Sequence, residues 1–258
     1  MESEHIYTIR LHDLALGYGE RVLLRGANIG FGWGEFTALI GRNGTGKSTL
    51  LRTIAALTKP LEGRITLNGR PMEQMTPREI ASEISFVSTE EVRVPNLRVA
   101  DAVALGRAPY TGWTGRLSDD DRRAVVRALE LVGMEGFARK SIDRLSDGER
   151  QRVMIARALA QDTPVILLDE PTAFLDLPNR YETGLLLRDL AHKQGKCIIF
   201  STHDLNIALE LCDTIAMLHD GRFVCGTAQS LIAGNMLQQL FEGTTVRFDA
   251  AAGQVRLK

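Results

Sequence analysis

Eight residues decide the fold of this chain: Gly41-Arg42-Asn43-Gly44-Thr45-Gly46-Lys47-Ser48. A short apolar run at 35–40 predicts a strand before them, and the pattern of residues 47–57 predicts a helix after them. Their spacing matches the phosphate-binding loop G-x-x-x-x-G-K-[ST] without deviation. The glycines let the backbone wrap tightly, so that N–H groups and the helix N-terminus point at phosphate oxygens. The sequence therefore predicts a nucleoside triphosphate site, with Lys47 facing the β- and γ-phosphates and Ser48 as a magnesium ligand.

Two acidic residues follow an apolar run farther along the chain, in Val165-Ile166-Leu167-Leu168-Asp169-Glu170. A buried strand of this kind would carry both carboxylates to the carboxyl edge of a parallel sheet, where such sheets bind ligands. We expect Asp169 to hold magnesium directly or through water, because carboxylate oxygen suits that ion. We expect Glu170 to point to the other side and to polarise an attacking water. The plain alternative is a strand that ends in two solvated acids.

A third motif, Leu145-Ser146-Asp147-Gly148-Glu149, predicts the start of a helix. Ser146 and Glu149 have the spacing of a capping box, in which each side chain satisfies a backbone N–H at the helix N-terminus. A helix N-terminus that exposes Ser and Gly is also suited to bind an anion. The motif therefore predicts a second anion-binding element, placed just before the acidic strand.

Strands alternate with helices along the chain, which predicts an α/β fold with a parallel sheet. We predict a P-loop NTPase (RecA-like) core that carries an antiparallel β subdomain, because residues 6–16 and 21–31 alternate loosely between apolar and polar. A long helical pattern predicts an inserted helical subdomain at about 90–160. The expected organisation is a single domain at 1–240 followed by a short C-terminal extension at 241–258.

Composition excludes several classes of protein. The 31 Lys+Arg and 32 Asp+Glu residues leave a formal net charge of −1, which argues against binding nucleic acid through bulk positive charge. A hydrophobic content of 44% excludes an intrinsically disordered chain. The three cysteines show no CxxC spacing and are expected to be reduced. A membrane span needs about 20 consecutive apolar residues, and the apolar runs here are shorter, so a partner would have to hold this chain at a membrane.

Taken in order, these motifs resemble those of the nucleotide-binding subunit of ATP-binding cassette (ABC) transporters, over roughly residues 6–240. The resemblance implies ATP and Mg²⁺ as cofactors and ATP hydrolysis as the activity. The residues that it implies for ATP binding are Tyr18, Gly41, Arg42, Asn43, Gly44, Thr45, Gly46, Lys47, Ser48 and Thr49, with the Tyr18 ring stacked on adenine. It implies Ser48 and Asp169 as magnesium ligands, Glu170 as the catalytic glutamate, and His203 as the histidine that contacts the γ-phosphate.

The resemblance also implies a head-to-tail homodimer with two ATP molecules at its interface. Ser146 and Gly148 match positions of the family signature LSGGQ that face the γ-phosphate of the opposing subunit. Asp147 and Glu149 depart from that signature at its third and fifth positions. The stretch Ala173-Phe174-Leu175-Asp176 matches the family's D-loop.

One position departs from the family in a way that bears on the metal. Members of the family place a glutamine after the strand that follows the first helix, where it touches magnesium and senses the membrane partner. Here that strand is predicted at Ile84 to Val87, with Thr89 at the expected position and Glu90 next to it. A Thr oxygen has a shorter reach, whereas Glu90 would add negative charge near the γ-phosphate. The resemblance therefore leaves two candidates for the glutamine's role.

Secondary features resemble the ATPases of importers for iron–siderophore, haem or cobalamin. They are Leu105-Gly106-Arg107-Ala108-Pro109-Tyr110, the later Leu117-Ser118-Asp119-Asp120-Asp121, and the stretch from Ser201 to Asn206. The expected partners are a second copy, transmembrane permease subunits at the helical subdomain and, indirectly, a substrate-binding protein, with no nucleic acid. The expected location is cytoplasmic, peripheral on the inner face of the cell membrane. A soluble ABC-type ATPase of cofactor assembly would share the nucleotide motifs and is the alternative.

Overall fold

The computed structural model describes residues 7–19, 21–89, 94–250 and 252–258. Its strands are β1 (Tyr7–Tyr18), β2 (Arg21–Ala27), β3 (Gly30–Gly32), β4 (Phe36–Gly41), β5 (Glu62–Leu67), β6 (Arg70–Pro71), β7 (Ile84–Val87), β8 (Val165–Leu168), β9 (Cys197–Ser201), β10 (Thr214–His219), β11 (Arg222–Gly226), β12 (Val246–Asp249) and β13 (Gln254–Leu257). Its α-helices are α1 (Lys47–Ile54), α2 (Pro77–Glu83), α3 (Val99–Ala104), α4 (Asp119–Leu131), α5 (Asp147–Gln161), α6 (Leu177–Gln194), α7 (Leu205–Leu211) and α8 (Ala228–Ala233).

The central sheet has the strand order β11-β10-β4-β9-β8-β7. Its strands run parallel except for β11, which pairs antiparallel with β10 at one edge. The strands β8 and β9 are buried along their whole length, as expected for a sheet covered on both faces. The loop at 42–46 follows β4, the acid pair follows β8 and His203 follows β9. All of them therefore meet at the carboxyl edge of one sheet, as the sequence predicts.

A second, antiparallel sheet lies at the N-terminal side of the fold. Its order is β2-β1-β5-β6, and β3 pairs with β1 as well. Buried residues of this sheet, among them Ile9 and Phe31, share one apolar cluster with Leu50, Leu51 and Ile54 of α1. This packing confirms the predicted antiparallel strands and fixes the helix that begins at the phosphate loop.

The helical region, which lies between β7 and β8 in the sequence, contains α3, α4 and α5. These helices confirm the predicted helical pattern. Several other elements were not predicted from the sequence, among them α2, α8 and the C-terminal hairpin. The helix α2 begins with a capping box between Thr76 and Glu79 and has Pro77 in its first turn, so a signal was present. The hairpin of β12 and β13 lies within the predicted C-terminal extension. None of the helices in the described ranges is long and apolar enough to span a bilayer.

Arg107 joins the parts of this helical region. Its Nε donates to Asp121 Oδ1 at 2.8 Å, and its Nη1 donates to the Ala160 carbonyl at 2.7 Å near the end of α5. The guanidinium also lies 4.0 Å from the centroid of the Tyr110 ring. Both members of the ion pair are buried, with side chains 12% and 7% exposed. The segment from Leu105 to Tyr110 therefore directs Arg107 towards the interior. There the arginine links the start of α4 to α5.

Two further contacts specify this arrangement. Gly106 lies against α5 so closely that a Cβ would come within 2.2 Å of the Arg157 carbonyl oxygen. Asp121 accepts hydrogen bonds from the Ser118 hydroxyl and backbone N–H, and with the Arg107 guanidinium they lower its pKa to about 2. Leu105, on the same segment, stays on the surface and is exposed.

Replacing Arg107 with Ala is expected to lower the free energy of unfolding by about 3 kcal/mol, because the buried Asp121 carboxylate then loses its charged partner. Arg123→Ala is the matched control on α4, since Arg123 pairs with Asp120 at the surface. That control should change stability by less than about 0.5 kcal/mol. Denaturant midpoints of the two variants and the wild type measure the difference.

Acid should reduce the difference in the free energy of unfolding between the wild type and Arg107→Ala. The folded Asp121 pKa of about 2 lies below the value of about 3.9 in an unfolded chain. The stabilisation is therefore complete above the unfolded value and is lost as the pH falls from about 4 towards about 2. Equal losses in the Arg107 and Arg123 variants would contradict the role given to this ion pair.

Candidate nucleotide site

The phosphate loop is shaped by backbone conformations that favour glycine. Gly46 has a φ of 108° and caps α1 without offering a side chain to its first N–H groups. Gly41 has a φ of 157°, and a Cβ there would lie 2.6 Å from the Leu218 carbonyl oxygen. The open N-terminus of α1 therefore faces the loop, where it can receive the oxygens of a phosphate group.

Lys47 lies inside the loop. Its residue is only 6% exposed, and its Nζ donates to the carbonyl oxygens of Gly41 at 2.9 Å and Arg42 at 3.3 Å. Burial lowers the pKa of the ammonium group, while the nearby carboxylates of Glu170 and Asp169 oppose that shift. The loop thus holds a partly desolvated cation between its own carbonyl groups and two acids, and this cation is available to an incoming phosphate.

The other loop residues point in different directions. Thr45 Oγ1 donates to the Arg42 carbonyl at 2.9 Å, which closes the turn, and Asn43 and Gly44 are exposed. The Arg42 side chain extends away and its Nη1 donates to the Glu242 carbonyl at 3.3 Å. Of the loop's two long cationic side chains, the one on Lys47 therefore faces the acids.

Asp169 lies at the centre of the hydrogen-bonded network of the site. It is 3% exposed and accepts from Ser48 Oγ at 3.0 Å and from Ser201 Oγ at 2.7 Å. Ser201 Oγ in turn accepts the Glu170 backbone N–H at 2.9 Å. The hydroxyl of Ser48 beside a carboxylate fits Mg²⁺, which takes oxygen ligands and is commonly held by one or two carboxylates plus substrate phosphates.

Glu170 and Asp169 direct their side chains to different partners. Glu170 Oε1 lies 2.7 Å from His203 Nε2 at the end of β9. The Glu170 backbone has a φ of 49°, which is uncommon for a residue other than glycine and is often found at functional sites. The site therefore pairs one buried, metal-suited carboxylate with a second, partly exposed carboxylate that contacts an imidazole.

Tyr18 lies at the end of β1 on the rim of the loop. The residue is 57% exposed, and its hydroxyl forms a hydrogen bond with Oγ1 of the buried Thr49. Thr49 is the third residue of α1, and its side chain contacts the tyrosine. An exposed aromatic face beside a phosphate loop can stack on a nucleobase.

Ser146 and Gly148 lie at the start of α5. Ser146 caps the helix, and Glu149 accepts its backbone N–H at 2.8 Å, which lowers the Glu149 pKa. Gly148 packs against the loop after β8, since a Cβ would lie 3.3 Å from Leu175 Cδ2 and 3.5 Å from the Phe174 carbonyl oxygen. The predicted capping box is therefore confirmed, and the signature lies against the predicted D-loop of its own chain.

The structure describes one of the two residues that could replace the family's glutamine, which is Thr89. Thr89 is half-buried and comes two residues after β7, which ends at the same sheet edge as β8. Glu90 lies outside the described residues. Which of the two takes the glutamine's place stays a prediction.

The role of Ser201 was not predicted from the sequence, where this residue is only part of the stretch before His203. The structure places its hydroxyl between Asp169 and the Glu170 backbone. A polar residue that ends an otherwise apolar strand was the available signal. Asp204 is a second case, because its carboxylate caps α7 through the N–H groups of Asn206 and Ile207.

This fold and site define a P-loop nucleoside triphosphatase. A family model described as ABC transporter matches residues 18–173, which is more than half of the chain. The chain belongs to the ABC transporter family, and its activity is the hydrolysis of ATP. The nucleotide that it binds is therefore ATP.

Three comparisons place the chain more closely. It is 39% identical to the iron(3+)-hydroxamate import ATP-binding protein FhuC of Bacillus subtilis (strain 168), over 91% of this chain and 88% of that protein. It resembles the inward-facing conformation of a metal-chelate type ABC transporter, with a TM-score of 0.80 and 28% identity over 91% of this chain and 89% of the other. A dimeric ATP-binding cassette in a post-hydrolysis state, bound to ADP and Pi, is similar with a TM-score of 0.75 and 31% identity, over 85% of this chain and 98% of that one.

Replacing Ser201 with Ala is expected to lower the free energy of unfolding by about 1–3 kcal/mol, because a buried carboxylate loses a donor and a buried N–H loses an acceptor. Ser85→Ala is a matched control, since Ser85 is equally buried on β7 but makes one long hydrogen bond of 3.4 Å to the Val165 carbonyl. Chemical denaturation should show the smaller loss for Ser85→Ala. The reverse order would show that Ser201 does not hold the acid pair in place.

Proposed function

We propose that this chain is the ATP-hydrolysing subunit of an importer for a chelated metal, such as an iron–siderophore, haem or cobalamin. The observation that carries the proposal is the similarity, over nine-tenths of the chain, to an iron-hydroxamate import ATPase and to a metal-chelate type transporter. The segment from Leu105 to Asp121 supports the proposal. Its sequence resembles that of the ATPases of such importers, and its residues Arg107 and Asp121 form the ion pair that organises the helical region.

We assign the binding of ATP to the loop at 41–49 and to Tyr18. The loop N–H groups and Lys47 would hold the phosphates, and the exposed Tyr18 ring would stack on the adenine. Ser48 and Asp169 would hold Mg²⁺, with Thr89 as a further candidate. The ion would neutralise charge on the phosphates, which is the chemistry it supplies in such sites.

Glu170 is assigned the role of the residue that polarises the attacking water. Its carboxylate is partly exposed and lies near Lys47, which is where the γ-phosphate would be bound. His203 contacts the carboxylate at 2.7 Å and would contact the γ-phosphate as well. The pair can therefore orient a water molecule and sense the phosphate at the same time.

A second copy of the chain would complete each site. A related ATP-binding cassette, bound to ADP and Pi, is dimeric and supports this proposal. Ser146 and Gly148 stand at the N-terminus of α5, a helix of 15 residues whose positive end suits a phosphate. In a head-to-tail dimer this helix end would face the γ-phosphate bound by the opposing loop. Closing on ATP and opening after hydrolysis would then supply the mechanical output.

The remaining partners follow from the transporter role. We propose that transmembrane permease subunits dock on the helical region, where Leu105 and Trp113 are exposed. A binding protein would deliver the chelate to the permease from the other side of the membrane. The chain itself would be peripheral on the inner, cytoplasmic face of the membrane.

Glu170→Gln should lower the turnover of ATP by about 100-fold or more while ATP binding is kept, because the water-orienting carboxylate is lost and Asp169 remains. The variant should accumulate as an ATP-stabilised dimer in gel filtration. Lys47→Ala is the contrasting variant and should weaken nucleotide binding itself. Turnover close to wild type in Glu170→Gln would show that another group orients the water.

The substrate class is tested by reconstituting the chain with its permease in vesicles. ATP hydrolysis should rise when a binding protein loaded with a metal chelate is added, and should stay unchanged with the empty binding protein. A rise with a sugar- or amino-acid-binding protein, and none with a metal chelate, would contradict metal-chelate import. Failure of the native chain to sediment with membranes would favour the soluble ATPase instead.

A further inference from the structure

The C-terminal segment, defined here as residues 237–258, is anchored in the main apolar core. Leu237 is fully buried and Phe248 nearly so, and both belong to the same cluster as the central sheet. Hydrogen bonds brace the segment internally: Gln238 Oε1 accepts the Phe248 N–H at 3.0 Å, and the Phe241 carbonyl accepts Thr244 Oγ1 at 2.8 Å. The matched family region ends at residue 173, well before this segment.

The turn at Phe241 and Glu242 borders the nucleotide site on two sides. A cavity of about 180 Å³ has walls formed by the phosphate loop at Gly41 and Arg42, by His203, and by Phe241 of the C-terminal segment. The Arg42 guanidinium reaches across 200 positions of sequence to the Glu242 carbonyl at 3.3 Å. The phosphate loop, the histidine and the C-terminal segment therefore border one shared space.

A larger cleft lies on the other side of the same histidine. Its volume is about 960 Å³, and its walls include α7, the hairpin of β12 and β13, His203 and Phe241. His203, Leu205 and Phe241 therefore line both spaces. Of the two apolar residues, Phe241 belongs to the C-terminal segment, and its side chain is placed to limit the position of the imidazole from that side.

We propose that Phe241 is a positioning residue for ATP hydrolysis. Through Phe241 beside His203, and through the Glu242 carbonyl on Arg42, the C-terminal segment holds the histidine and the phosphate loop in one arrangement. In that arrangement His203 Nε2 lies 2.7 Å from Glu170 Oε1. This inference rests on the roles proposed above for Glu170 and His203. It also gives the Arg42 side chain a task of its own, which is to anchor the segment, while the backbone N–H of Arg42 stays among the loop N–H groups assigned to the phosphates.

Phe241→Ala in the purified full-length chain is expected to lower kcat for ATP roughly tenfold, because displaced catalytic groups lose rate steeply with distance. KM for ATP should change by less than about twofold, since Lys47 and the loop N–H groups are untouched. Phe241→Leu keeps an apolar side chain of similar reach and should restore most of kcat. Leu257→Ala, on the exposed end of the same hairpin, is the control and should behave as wild type.

Arg42→Ala tests the second contact on a surface residue whose loss should not unfold the chain. If Arg42 anchors the segment, this variant lowers kcat with KM nearly constant, and the double variant with Phe241→Leu or Phe241→Ala is no worse than the poorer single variant. If Arg42 binds phosphate, KM rises and the two effects add, which overturns the inference. Where Phe241→Ala does not fold, Phe241→Leu and Arg42→Ala decide the matter by the same criteria.

A wild-type kcat in the Phe241 and Arg42 variants, or an equal loss in Leu257→Ala, also overturns the proposal. Glu170→Gln, measured in parallel, separates this failure from a failure of the proposed catalytic roles. If Glu170→Gln is inactive and the Phe241 variants are normal, only the inference about the C-terminal segment is wrong. If Glu170→Gln keeps full activity, the roles given to Glu170 and His203 are wrong.

Discussion

The hydrogen bonds that Asp169 accepts from Ser48 and Ser201 join the ends of three structural units. Ser48 lies on the helix after β4, Asp169 follows β8 and Ser201 ends β9. A carboxylate this deeply buried needs hydrogen-bond donors, so the start of α1 and the ends of β8 and β9 must stay together. The position of Glu170 depends on the same network, because its backbone N–H donates to Ser201 Oγ. The relative positions of Ser48, Asp169, Glu170 and Ser201 therefore follow from the hydrogen bonds around one buried carboxylate.

Electrostatics complete what this network begins. Lys47 is held away from solvent by the loop that will receive the phosphates, and its neighbours are the two carboxylates that follow β8. Partly desolvated charges interact more strongly than charges in water, which favours a highly charged ligand that brings its own metal ion. The backbone of Glu170, with its positive φ, separates the two carboxylates and lets each meet a different partner.

In the helical region, residues that resemble a narrower class of ATPases have a structural role. Arg107 donates hydrogen bonds to Asp121 and to a carbonyl near the end of α5, and these bonds join the region into one packed unit. The signature at Ser146 begins the same α5 that ends at this arginine. A movement imposed on the surface of the region can therefore reach the signature through one rigid helix, which is the connection a transporter ATPase needs.

The sequence by itself determined the α/β class, the phosphate loop, the acid pair after a buried strand and the capping box at Ser146. Each of these depends on local spacing, such as a glycine pattern or an apolar run, which needs no knowledge of distant contacts. The C-terminal hairpin went unpredicted, because its strands are short and their burial depends on Phe248 reaching the main core. Only the tertiary structure decided that Ser201 bridges the acids, that Arg107 turns inward and that Arg42 meets Glu242. The physical reason is that these contacts join residues from 14 to 200 positions apart, and the packing of the sheet brings them together.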